Sequence, residues 1–240
     1  MTPLAARLFR TSDEATQRQL AASQFFECTA LTPLALEMRK ADSTDGGFSA
    51  NARLPAPKTL IEAMIRGKRI AFFCQEFGDE EHISVHAIAE GDDGNPHVDW
   101  DATFRPGTDE FTYGNEASPS ERRQGATFIG LVLIEKFLCI INQPGLVDLH
   151  DKQTDKRVMR EAKAHGMDLP PARWHQCHIR PGVHGAGGDV GGNHREHQLH
   201  YVRKHKKPSL GPDRWIDGYW RGNADLGIHQ KSYVVHSLQN

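Results

Sequence analysis

Between residues 194 and 222 the chain concentrates side chains able to hold phosphate, move protons and stack on bases. The run is His194-x-x-His197-x-x-His200-Tyr201-Val202-Arg203-Lys204-His205-Lys206-Lys207, followed by Trp215-x-x-x-Tyr219-Trp220-Arg221-Gly222. A guanidinium grips a phosphate through two parallel hydrogen bonds. Neutral imidazole exchanges protons near pH 7. Trp and Tyr rings offer faces to unpaired bases. If residues 197–205 form one strand, His197, Arg203 and His205 share a face and His200 takes the other. The expected nucleic-acid- or partner-binding set is therefore His200, Arg203, Lys204, His205, Lys206, Lys207, Trp215, Tyr219, Trp220, Arg221 and Gly222. Were the site hydrolytic instead, His200 and His205 would be acid and base, with Arg203 on the phosphate.

A metal reading competes. His175-x-x-His178 and His194-x-x-His197 each offer two imidazoles, with Cys177 close to the first pair, and zinc takes such ligands. The chain has no C-x-x-C pair and no H-E-x-x-H, and an i, i+3 pair on a strand points to opposite faces. No metal and no cofactor is expected; His175, His178, His194 and His197 are the candidates if one binds. The glycines from Gly185 to Gly192 lack the Gly-Lys-Ser/Thr ending of a phosphate-binding loop. Ser209, Ser232 and Ser237 stand in no nucleophile elbow. Cys177 reads as an inert thiol.

Charge is unevenly spread. Residues 76–121 hold thirteen Asp or Glu against Arg105 alone, while residues 151–240 hold fifteen Lys or Arg against nine acids. Ten of the fourteen histidines fall between His165 and His236. An acidic middle and a basic end imply two surfaces with different work. Four dispersed cysteines point to a reducing, cytoplasmic setting rather than a disulfide framework. The best membrane-span candidate, Ala126 to Ile141, contains Glu135 and Lys136, so no membrane partner is expected.

The elements that must position these residues form an α+β pattern. Thr11-Ser12-Asp13-Glu14 starts a helix, and Leu20, Phe25, Phe26 and Leu31 continue a helical stripe. Pro33 opens a short helix, and Pro57 leads another carrying Leu60, Ile61, Met64 and Ile65, closed by Gly67. Residues 1–66 therefore read as the helical N-terminal part of a single domain, 1–240. Arg69 to Phe73, His82 to Ala89 and Val98 to Phe104 read as strands. Ser120 to Asn142 is a long helix, apolar on most sides, around which an antiparallel sheet is expected to pack. Lys152 to His165 reads as a surface helix and Trp174 to Ile179 as a strand. Residues 181–193 hold six glycines and read as a mobile loop. His197 to His205, Trp215 to Arg221 and Ser232 to Val235 complete a C-terminal strand group, in which Trp215 to Arg221 is close enough in sequence to pair back antiparallel through a turn at Pro208–Pro212.

His200, Arg203 and His205, followed by Trp220-Arg221-Gly222, resemble a C-terminal signature of phage and plasmid proteins, a family that includes a type V-A anti-CRISPR protein. The upstream layout over residues 68–236 is also similar; the motif itself covers the last forty residues. The resemblance implies a protein that recognises a nascent peptide and lowers the messenger RNA encoding it. Lys204 departs from the glycine usual in the family, and Lys206 from a common aromatic. Three readings stay open: a regulatory protein binding RNA or a ribonucleoprotein, a histidine- or metal-based phosphodiesterase, and a purely protein-binding module. Binding is favoured over catalysis, since His- and Arg-rich strands bind more often than they catalyse.

Overall fold

The computed structural model describes residues 1–42, 47–77, 82–91, 93–114, 121–143, 145–164, 166, 174–180, 198–202, 205–207, 215–216 and 218–228. They build an α+β fold on an eight-stranded sheet. Its strands are β1 (Gln24–Glu27), β2 (Lys58–Ile65), β3 (Lys68–Phe77), β4 (His82–Glu90), β5 (Pro96–Phe104), β6 (Phe111–Tyr113), β7 (Val147–Lys152) and β8 (Trp174–Ile179). The order across the sheet is β6-β5-β4-β3-β2-β1-β8-β7. Strands β2 to β6 form an antiparallel meander, and β7 pairs antiparallel with β8. The sheet is nevertheless mixed, because β1 runs parallel to both β2 and β8. The sheet is thus mostly antiparallel, as expected, with its parallel pairs confined to this junction.

The sheet is covered on both faces, which explains the largest misreading of the sequence. Phe26, Ile61, Ala63, Phe72, Cys74, Val85 and Phe104 enter one core with helices α3 (Thr32–Asp42) and α4 (Glu121–Ile141). Phe25, Leu60, Ala71 and Ile88 enter a second core with α1 (Pro3–Thr11), Leu20 of α2 (Glu14–Ala21) and Val158 and Ala162 of α5 (Lys156–Ala164). A strand buried on both faces loses its polar alternation and reads as a continuous apolar run. Leu60, Ile61, Met64 and Ile65 therefore mimic a helix but form β2. Gly67 closes no helix. Arg66 at φ 51° and Gly67 at φ 78° make the two-residue hairpin turn that pairs Ile65 with Lys68. Likewise Phe25 and Phe26 leave the stripe of α2 and enter β1 with their rings in opposite cores. The helical N-terminal part over 1–66 is thus interrupted by two strands. Asp13 does cap α2, accepting from Thr16 N at 2.8 Å.

α1 is held by a distant residue. Thr2, its N-cap, makes no side-chain cap bond. Leu4 N donates instead to Glu62 Oε1 at 3.1 Å and Oε2 at 2.9 Å, and Ala5 N to Oε2 at 3.3 Å. Glu62 lies on β2, has no solvent exposure, and also takes Arg69 Nη1 at 2.7 Å. The helix N-terminus presents unpaired N–H groups and positive potential, which suit a carboxylate.

α4 fills the first core with Leu131, Ile134, Phe137, Leu138 and Ile140, all without exposure. By length and composition Gln124–Ile141 is apolar enough to cross a membrane, but most of that stretch is buried inside the fold, as in a core helix. Glu135 and Lys136, buried within it, pair at 2.8 Å, and Glu135 Oε1 accepts from Ser49 N at 2.9 Å. β7 lies ahead of the expected surface helix and reaches only its first residue, Lys152; α5, Lys156–Ala164, is that helix, starting four residues later.

Glu62→Gln is expected to lower stability by about 3–5 kcal/mol, because Arg69 and the end of α1 lose their charged partner together. Urea unfolding of both proteins measures it. A loss below about 1 kcal/mol would show that the carboxylate is dispensable.

Candidate functional site

The C-terminal residues form two small sheets. β9 (Gln198–Val202) lies between β12 (Tyr219–Arg221), antiparallel to it, and β13 (Asn223–Ile228), parallel to it. β10 (His205–Lys206) pairs antiparallel with β11 (Trp215–Ile216) in the second. The expected return of the Trp215–Arg221 segment onto the preceding strand is present in both. The single strand expected over 197–205 is not: β9 and β10 belong to different sheets, so their residues cannot be assigned to one shared face.

Alternation sorts the first sheet. Leu199, Tyr201 and Trp220 turn inward and join the first core. Tyr201 and Trp220 are cross-strand partners with ring centroids 5.5 Å apart. Trp220 is fully buried, and its Nε1 finds no acceptor among the described residues. The stacking role expected for Trp220 is therefore corrected. An inward position on a three-residue strand makes the indole an anchor for the sheet, out of reach of a base.

The outer face carries the remaining chemistry. Arg221, exposed, is the register partner of half-buried His200, and half-buried Tyr219 is the partner of Val202. His200 Nδ1 lies 3.0 Å from Gln198 O. A carbonyl only accepts, so Nδ1 carries the proton in the neutral ring and Nε2 keeps its lone pair. Gly222, at φ 114°, is a backbone pivot between β12 and β13. Lys207 is exposed just beyond β10. Lys206 stands opposite Trp215, and His205 opposite Ile216, in the second sheet. Arg203 and Lys204 lie outside the described residues, as do the Gly-rich stretch 181–193 and the segment 232–235.

The metal candidates separate. His175 packs its ring on Phe26 at 5.1 Å, on the first-core side of the sheet, with Nδ1 2.9 Å from Asp151 Oδ1. That is an ion-pair distance without hydrogen-bond alignment. His178 takes the opposite face, with its ring 4.9 Å from that of His150. His194 and His197 lie outside the described residues. Among those described, no three metal-ligating side chains cluster.

The antiparallel β7–β8 pair is a polar centre outside the expected site. It gathers the His150–His178 contact and a second ion pair, in which Arg180 Nε and Nη2 each lie 2.7 Å from Asp148 Oδ1. The available signal was the alternation of Val147 and Leu149 with Asp148 and His150. Comparison with family models, curated proteins and solved structures finds no match for this chain.

Trp220→Ala should lower stability by about 3–5 kcal/mol, the usual cost of removing a large buried ring. Arg221→Ala should stay within about 0.5 kcal/mol. Thermal melts of the two variants check this; equal losses would mean that the inner and outer faces are wrongly assigned.

Proposed function

We propose that the protein is a regulatory binding protein that engages RNA, free or within a translating ribonucleoprotein, through the outer face of its C-terminal three-stranded sheet. The observation that carries this reading is the placement of Arg221 directly opposite His200, beside Tyr219, on the solvent side of a sheet anchored from within by Tyr201 and Trp220. The guanidinium offers a phosphate its paired donors, the His200 Nε2 lone pair accepts a hydrogen bond, and the Tyr219 ring takes an unpaired base. Lys207 and the basic balance of residues 151–240 add attraction that acts at a distance. The resemblance to the anti-CRISPR-containing family extends the reading to a nascent peptide and its messenger RNA as targets, in the cytoplasm of a host cell.

The hydrolytic alternative, with His200 and His205 as acid and base, has no observation that favours it over binding. The purely protein-binding reading has no observation that favours it over RNA.

Arg221→Ala should weaken binding to a mixed-sequence single-stranded RNA by about ten-fold, equivalent to roughly 1–2 kcal/mol. Lys207→Ala should cost about two- to three-fold, as one replaceable point charge. Fluorescence anisotropy at about 50 and 200 mM salt should show affinity falling steeply between the two. Absence of binding at low salt, or equal affinity of the wild type and a folded Arg221→Ala protein, overturns the proposal.

A further inference from the structure

We propose that Cys28 and Cys177 form a reversible disulfide site, an oxidation-sensitive staple across the β1–β8 junction. Their Sγ atoms lie 3.6 Å apart, and both are free thiols without solvent exposure. The parallel register Phe25–Trp174, Phe26–His175, Glu27–Gln176 continues one step further to bring Cys28 beside Cys177. Cys28 has already left β1, at φ −115° and ψ 17°, ahead of the 3₁₀ turn Thr29–Leu31. Its side chain is thus not confined to the fixed spacing of the ladder. A disulfide needs sulfurs about 2.05 Å apart with a cross-bond dihedral near 90°, a geometry within reach of side-chain rotation from here.

The other two cysteines set the contrast. Cys74 is buried in the same core, where its sulfur meets the Phe72 carbonyl at 3.8 Å. Cys139, half-buried on α4, lies 4.0 Å from Glu135 Oε1. The juxtaposition therefore selects one pair among the four cysteines.

The oxidant is a peroxide. One thiol sulfur attacks hydrogen peroxide, the O–O bond breaks, and a sulfenic acid and one water result. The second sulfur then displaces the hydroxyl, forming the S–S bond and a second water. Two thiol protons and two electrons leave the protein, and one peroxide becomes two waters. A dithiol reductant reverses the change.

Burial controls the rate. Loss of solvent raises the Cys28 thiol well above its ordinary range, and its contact with Cys177 adds to this. Little thiolate forms while the junction is closed. β8 is shielded on one side only by β7, the edge strand, whose outer residues from Leu149 to Lys152 are exposed. Local opening of that edge is the step that admits peroxide. Once formed, the bond ties the β7–β8 strand pair to the end of β1.

The test uses the purified full chain exposed to graded hydrogen peroxide. Remaining thiols are then blocked with N-ethylmaleimide and the chain is digested without reductant for mass spectrometry. A peptide holding Cys28 should appear linked to one holding Cys177, and dithiothreitol should release it. The oxidised protein should melt roughly 5–15 °C higher and return on reduction, as expected for a bond closing a long loop. Cys28→Ala and Cys177→Ala should each abolish the link; the wild-type peptide map decides the matter even if either variant fails to fold. The proposal is overturned if Cys28 and Cys177 stay free at peroxide levels that oxidise Cys139. Links to other cysteines or between chains, or a Cys28–Cys177 link without a change in melting, overturn it equally.

Discussion

A carboxylate cut off from water must be answered on the lone pairs it presents, and here the answer organises half of the molecule. Glu62 sits on β2, in the interior of the sheet, with no exposure. Left alone it would cost several kcal/mol. The backbone N–H groups of Leu4 and Ala5 and the guanidinium of Arg69 supply its partners. In return, α1 gains the cap that Thr2 does not provide, and its direction over the sheet is fixed. Leu4, Ala5 and Phe9 are then delivered onto Phe25, Leu60 and Ala71, which makes the second core. One charged contact thereby sets where a whole helical layer sits, while the apolar area beneath it supplies most of the stabilisation.

The C-terminal sheet follows a simpler constraint. Strand side chains alternate, so every residue committed to anchoring removes its neighbours from the core and offers them to solvent. Tyr201 and Trp220 anchor; His200, Tyr219 and Arg221 are left outside. The outer face is thus small, and it holds a cation, an imidazole and a ring within three register positions. Such a composition suits a flexible polyanion better than a deep substrate pocket.

Much of the fold was legible. His82–Ala89 and Val98–Phe104 alternate along their length, Ser120–Asn142 is too long an apolar run for a strand, and Trp174–Ile179 is also a strand as expected. What was not legible shares one cause. β1 and β2 are covered on both faces, so Phe25-Phe26 and Leu60-Ile61 lose the polar alternation that marks a strand. In the site, the antiparallel return of residues 215–221 could be read from spacing, but the fate of Trp220 could not. Aromatic residues next to basic ones read alike whether they stack on a ligand or fasten a strand. Only the presence of a core behind β12 distinguishes the two, and that core is built from α4 and β2 to β5, far away in sequence.

β1 sits between two parallel partners, one drawn from residues 58–65 and the other from residues 174–179. Its first edge is satisfied early in synthesis, when β2 emerges beside it. Its second edge stays open until more than a hundred further residues have been made. Over that interval the ribosome-bound chain displays the unpaired strand Gln24–Glu27, a template for any extended segment nearby. Closing a loop of that length is slow relative to forming local hairpins. The late arrival of β8 therefore sets the pace of assembly, and the nascent chain is most exposed to mispairing in the window just before it docks.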